Sequence, residues 1–154
     1  IDDMITVTDD EIGKAMFMLL ERSKMVAEPA GAASLAGAIS GKIDLSGKRV
    51  GAIVSGGNAN PLLLARVITQ GLRKTGRLIR LTVTIPDRPG SLRTVLGCIA
   101  SARANVVDLA HIRDEPNVPP SMATVQITME IQIGESFQQL TDCLSAQGFT
   151  FEIS

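Results

Sequence analysis

Two stretches of this 154-residue chain combine residue types and spacing that could do chemistry: Ser55-Gly56-Gly57-Asn58 and Asp87-Arg88-Pro89-Gly90-Ser91. The first follows an apolar run and precedes a helix. It would set a hydroxyl and free backbone donors where open α/β sheets bind ligands. A plain tight turn explains the same four residues. In the second, Pro89 and Gly90 bring the backbone close around a helix start, whose unpaired N–H groups can hold a carboxylate. A tight turn between strand and helix is again the alternative. His111 and Arg113 stand two apart on a strand, which by simple alternation shares one face among Asn105, Val107, Leu109 and His111. They read as an exposed pair at a strand end or as the polar rim of a binding site. Glu28, just ahead of a helix, is a candidate site carboxylate or a favourable charge at the helix dipole.

Composition narrows the partners. Hydrophobic residues make up 45% and charged residues 20%, which suits a packed globular protein and argues against disorder. Net charge is −1 with the signs interspersed, and no basic stripe could neutralise a run of phosphates, so nucleic acid is not an expected partner. No apolar run approaches the roughly 20 residues that span a bilayer, and no membrane association is expected. Cys98 and Cys143 fall in apolar helical stretches without metal-ligand spacing. They read as buried free thiols of a reducing, cytoplasmic compartment, and no metal is expected. The chain opens on Ile1, without a signal peptide, which reads as processing, a boundary or a fragment.

The elements that must position these residues follow from periodicity and caps. Thr8-Asp9-Asp10-Glu11 has the form of a capping box, and Ile12, Ala15, Met16, Leu19 and Leu20 repeat at helical spacing, predicting a helix from Asp9 to Val26. A second helix starts at Pro29, carries a face of small residues from Ala30 to Ala38, and ends at Gly41. Such a face lets another backbone approach closely. Val50-Gly51-Ala52-Ile53-Val54 reads as a strand buried on both faces, the parallel-sheet kind. Asn60 and Pro61 then cap and start a helix to Lys74. Beyond Gly76 the period changes to two, giving strands over Ile79–Ile85, Asn105–Arg113, Ala123–Ile133 and Thr150–Ile153. Helices around Leu92–Ile99 and Phe137–Leu144 separate them. This βαββαβ order is the ferredoxin-like arrangement. The expected domains are 1–75 and 76–154. A single parallel strand cannot stand alone, so the first stretch reads as the tail of a larger α/β domain, with a helical appendage as the alternative.

Val26-Ala27-Glu28-Pro29-Ala30-Gly31-Ala32-Ala33 and Ser55-Gly56-Gly57-Asn58 resemble the end of the catalytic domain of threonine dehydratases (threonine ammonia-lyases), fold-type II enzymes that use pyridoxal phosphate. Asp87-Arg88-Pro89-Gly90 resembles the loop of ACT domains, which follow the catalytic domain in single-chain bacterial forms. The resemblance covers the whole chain and implies an α+β ACT half preceded by the helical and strand tail of an α/β fold-type II domain. It implies that Ser55 meets the pyridine nitrogen of the cofactor, with Gly56, Gly57 and Asn58 completing the contact. A neutral hydroxyl there moderates the ring as an electron sink and suits β-elimination of water. It further implies an amino-acid effector, isoleucine or valine, held between two copies by Asp87, Arg88, Pro89, Gly90, Ser91 and Asn105, with His111 on the rim. A dimer is the least assembly expected.

The family's Schiff-base lysine, in a Ser-Phe-Lys motif, and its glycine-rich phosphate loop have no counterpart here. Lys14, Lys24, Lys42, Lys48 and Lys74 all stand on helix faces or links. The chain alone is therefore expected to be catalytically inactive. A serine-acting dehydratase or racemase shares the Ser55 motif, and a free-standing amino-acid-binding module would share the second half. Incubation with pyridoxal phosphate and borohydride should leave no single lysine specifically reduced onto the cofactor, as read by peptide mass spectrometry. One dominant labelled lysine would contradict this expectation.

Overall fold

The computed structural model describes residues 3–154, which divide after Gly71 into two compact units. The first contains α1 (Asp9–Met18), a π-helical turn (Leu19–Ser23), α2 (Pro29–Ile39) and most of α3 (Pro61–Lys74). The second contains β1 (Leu78–Pro86), α4 (Ser91–Ser101), β2 (Asn105–Ile112), β3 (Met122–Glu130), α5 (Glu135–Ala146) and β4 (Thr150–Ile153). No described helix is long and apolar enough to cross a membrane. Among the described residues no group of three or more His, Cys, Asp or Glu is placed to hold a metal ion.

The capping box at Thr8 forms in full. Glu11 N–H donates to Thr8 Oγ1, and Thr8 N–H donates to Glu11 Oε2 at 2.7 Å. Lys42 ties a distant segment to this corner, its Nζ reaching Glu11 Oε2 at 2.8 Å and the Thr6 carbonyl at 2.9 Å. The helix stops at Ser23, three residues short of the predicted end. Its last turn widens to the π form, Lys24 turns left-handed at φ 56°, and Lys24 Nζ caps the Glu21 carbonyl. Ala15, Met16, Leu19, Ala27, Ala32, Ala36 and Val67 form the small core of this unit.

Val50 to Val54 is not a strand. It carries no regular structure and has no sheet partner; Val50 is 50% exposed and Ile53 84% exposed, while Val54 packs partly against the core. An apolar run of this kind is buried only when neighbouring strands and helices cover both faces, and the described residues supply no neighbouring strand.

The second unit is a four-stranded antiparallel sheet in the order β2-β3-β1-β4, with α4 and α5 on one face. That order and the βαββαβ connectivity make it ferredoxin-like. β1 and β3 pair over their full nine residues, from Leu78 opposite Glu130 to Pro86 opposite Met122. Period-two alternation sends Leu81, Val83, Val125, Ile127 and Met129 to the helix-covered face, where all five are fully buried. Val95, Ile99, Leu140 and Leu144 close the core from the helices. The long hairpin after β2 is held by Thr124 Oγ1 donating to Glu115 Oε2 at 2.5 Å, which satisfies the hydroxyl of the buried Thr124.

Cys98 and Cys143 are not free thiols. They form a disulfide between α4 and α5, with Cα atoms 5.6 Å apart. Both expectations from spacing, apolar surroundings and helical context, were met. What the linear sequence hid is that the two helices lie side by side. Closing a loop of 45 residues restricts the unfolded chain by about 4 kcal/mol in the chain-entropy account.

Thr8→Ala should lower the stability of the first unit by about 1 kcal/mol, read by denaturant unfolding. The hydrogen bond from Lys42, with that from the Thr8 backbone, holds the Glu11 carboxyl below its ordinary 4.5. A lowered folded-state value stabilises above the unfolded value and is lost as pH falls. Lys42→Met, which removes the largest cause of that lowering, should therefore cost stability at pH 7 and progressively less as pH falls below the ordinary carboxylate value, read by denaturant unfolding at a series of pH values.

Candidate functional site

The Ser55 motif is positioned by α2 rather than by a sheet. Three contacts pin it. Ser34 Oγ donates to the Ile53 carbonyl at 2.5 Å, and Glu28 N–H donates to the Gly56 carbonyl at 2.9 Å. Between them, the backbone of Ser55 rests directly on Gly31: a Cβ there would fall 1.4 Å from the Ser55 carbonyl oxygen. The small-residue face of α2 thus accommodates a passing backbone, as its composition requires. Gly56 adopts φ 71° with the Glu28 side chain packed against it, so that a Cβ on Gly56 would meet Glu28 Oε1 at 2.2 Å. Glu28 occupies the N-cap position of α2 but makes no capping bond with its side chain. Its carboxylate belongs to the surroundings of the motif.

Ser55, Gly56, Gly57 and Asn58 are all exposed, and the Ser55 hydroxyl makes no hydrogen bond among the described residues. The backbone is fixed and the hydroxyl is free. Two residues on, Asn60 Oδ1 accepts from Leu62 N–H at 2.8 Å, forming the expected cap of α3.

The Asp87–Ser91 loop builds a second and larger feature. Gly90 sits at φ 94°, a left-handed geometry that sets the start of α4 without any side-chain cap. Ser91 N–H folds back to the Arg88 carbonyl at 3.3 Å, whereas the N–H groups of Leu92 and Arg93 have no acceptor among the described residues. Next to this helix start, with the partial positive charge of an 11-residue helix, lies an open cleft of about 740 Å³ lined by Arg88, Pro89, Gly90, Ser91 and Thr94. Thr84 and Pro86 of β1 and the Arg88–Ser91 loop make one side. Gln147 to Thr150, leading from α5 into the first residue of β4, make the other. Met122 and Phe149 add apolar surface.

Asp87 does not line the cleft. Its carboxylate takes both Oδ contacts from Arg113 Nε, at 3.1 and 3.0 Å, clamping the loop to the end of β2. This pair is partly exposed and worth less than about 1 kcal/mol in stability; its consequence is placement. Arg113, read from the sequence as an exposed strand-end residue or part of a polar rim, is thus what holds the loop. A sequence signal for it exists only in the pairing of opposite charges across a strand end.

The expectation that Asn105 and His111 share a face fails. β2 carries a bulge at Val107: Val106 opposes Met129 and Asp108 opposes Thr128, so one residue has no partner. Each inserted residue reverses the alternation. His111, opposite Val125, therefore points to the helix-covered face, and Asn105, opposite Glu130, to the open one. His111 Nε2 is buried without a hydrogen-bond partner among the described residues. Asn105 lies instead in a separate hollow with Arg77, Arg103 and Glu130. That hollow is at the opposite end of the sheet from Gly90, roughly 27 Å away along β1. One copy of the chain brings Arg88, Pro89, Gly90 and Ser91 together at the cleft, and leaves Asn105 apart.

No family model matches the chain. Its sequence is similar over nearly its whole length to two curated proteins. One is the L-threonine ammonia-lyase of Thermotoga maritima, 36% identical over 153 residues, which are 99% of this chain and 38% of that protein. The other is the L-threonine ammonia-lyase of Geobacter sulfurreducens, 34% identical over 154 residues, 99% and 38% respectively. The chain therefore spans little more than a third of the length of these relatives. Among solved structures, the ACT domain of the GTP pyrophosphokinase of Chlorobium tepidum overlaps half of this chain and 96% of its own, with 18% identity and a TM-score of 0.39.

Gly31→Ala forces a methyl into the Ser55 carbonyl. It should destabilise the first unit by about 1–3 kcal/mol and speed proteolysis between residues 50 and 58, while leaving the second unit's unfolding unchanged. Unaltered proteolysis there would show that the segment is not held by α2.

Proposed function

We propose that this chain is the regulatory portion of an L-threonine ammonia-lyase, with the βαββαβ unit acting as an amino-acid-sensing ACT domain. The whole protein then converts threonine to 2-oxobutanoate and ammonia. The observation that carries this reading is the similarity to two L-threonine ammonia-lyases across 99% of the chain. No observation favours a serine-acting enzyme or an isolated module.

Pyridoxal phosphate supplies an electron sink to such a reaction when bound. The Ser55 hydroxyl, exposed, free of protein partners and fixed by the Gly31 contact, suits a hydrogen bond to its pyridine nitrogen. Gly56, Gly57 and Asn58 keep the approach open. A hydroxyl rather than a carboxylate at that position leaves the ring nitrogen unprotonated, which restrains charge delocalisation. The lysine and phosphate-binding groups of catalysis are assigned to sequence outside these 154 residues.

The effector is assigned to the cleft at the start of α4. A free amino acid can set its carboxylate on the N–H groups of Leu92 and Arg93, with Arg88 and Ser91 adjacent. Pro86, Met122 and Phe149 provide apolar surface for an aliphatic side chain, which favours isoleucine or valine. β2 is the edge of the sheet and exposes Val106 and Val107, leaving its outer backbone groups open to pairing. Antiparallel pairing of two β2 edges would carry Asn105 of the partner subunit from the far end of the sheet to the Gly90 end. The bipartite effector site then needs the dimer. The cytoplasm is the location that suits such a metabolic role.

Titration calorimetry of the chain with isoleucine, valine and threonine should give saturable heats for at least one of the first two. Gly90→Leu, which puts a branched side chain at a left-handed φ, should lower that affinity at least tenfold. Equal heats for the two proteins would remove the effector from this loop.

A further inference from the structure

We propose that the Cys98–Cys143 disulfide is a site of reversible thiol–disulfide exchange whose state sets the order of the two walls of the 740 Å³ cleft. As a control on effector affinity this rests on the effector reading above; as a control on the cleft walls it does not.

The two half-cystines stand directly behind the walls. On α4, Cys98 follows Thr94, a cleft residue, by four positions and so shares its helix face. On α5, the Cys143 carbonyl accepts the N–H of Gln147 at 3.1 Å, and Gln147 opens the segment Gln147–Thr150 that forms the opposite wall. That segment turns at Gly148, φ 72°. Among the described residues no hydrogen bond or ion pair runs between α4 and α5. Apart from side-chain packing through Val95, Ile99, Leu140 and Leu144, the disulfide is what joins them.

Access is one-sided. Cys98 is 2% exposed, whereas Cys143 is only partly buried and lines an open hollow of about 610 Å³ along α5. Glu135, Gln138 and Asp142 border that hollow. A small dithiol reductant enters here. Its thiolate attacks Sγ of Cys143, the Sγ–Sγ bond breaks, and Cys98 leaves with the electron pair and takes up a proton, since burial disfavours a thiolate. The second thiol of the reductant then displaces Cys143 as a thiol. Two electrons and two protons pass to the protein, and the reductant becomes a disulfide. The two acidic groups at the entrance disfavour anionic thiols and favour neutral or cationic ones.

Dithiothreitol should reduce the folded 154-residue chain, and iodoacetamide should then label Cys143 ahead of Cys98. Hydrogen exchange read by mass spectrometry should show amides of Gly90–Thr94 and Gln147–Thr150 exchanging about tenfold faster after reduction, with β1 and β3 unchanged. Reoxidation should restore the slow rates. Cys98→Ser/Cys143→Ser should behave like the reduced chain and ignore the reductant. Isoleucine affinity, where calorimetry detects it, should differ several-fold between the oxidised and reduced chains. Reduction only in denaturant, unchanged exchange in the walls, or a uniform rise through the sheet would overturn the proposal. Equal isoleucine affinity in both states would overturn its regulatory part. Absence of binding by isoleucine, valine and threonine in either state would remove the effector reading, and the exchange data would still decide the switch.

Discussion

The unbroken antiparallel register between β1 and β3 is the constraint on which the second unit depends. Nine consecutive pairs fix which residues face the helices, and a slip of one would turn Leu81, Val83, Val125, Ile127 and Met129 out of the core. Both candidate hollows of this unit lie at the ends of this ribbon. At one end Pro86 delivers the chain to the loop that starts α4; at the other Glu130 stands opposite the first residue of β2. The cleft and the second hollow are separated by the length of a strand because the central pair is rigid and continuous.

The first unit lacks any such ribbon. It is organised around α2, whose alanines and glycines form a surface rather than a knob-and-hole interface. Burial of small side chains yields little hydrophobic free energy per residue, so the unit relies on close backbone contact, as at Gly31. That economy explains why its core holds three alanines beyond Ala15 and only Met16, Leu19 and Val67 as larger buried residues. It also explains why an irregular segment with exposed apolar residues can still carry a well-positioned serine.

Local signals were legible in the sequence and long-range ones were not. Thr8 with Glu11, Asn60 before Pro61, and the period-two strands all declare themselves within a few residues, because capping and alternation are short-range effects. The helix at Pro61–Lys74 and the strand at Thr150–Ile153 have the boundaries that their caps and alternation indicate. Val50–Val54 misled because burial of an apolar run is decided by its neighbours, not by itself. The disulfide was hidden because α4 and α5 are 45 residues apart at the bridge and their adjacency is a property of the sheet beneath them. At the candidate sites, glycine and proline marked the loop at Gly90, but the Asp87–Arg113 clamp and the far placement of Asn105 required the register of β2.

The bulge at Val107 gives β2 two identities. Upstream of it, Asn105 addresses the open face of the sheet; downstream, Leu109 and His111 address the helices. A single extra residue is therefore a hinge of meaning along the strand. Losing it would move every side chain on one side of position 107 to the opposite surface, emptying a hydrophobic position or burying an amide, without altering one letter of the motifs themselves. In this fold, the length of a strand specifies its surface chemistry as firmly as the residues it contains.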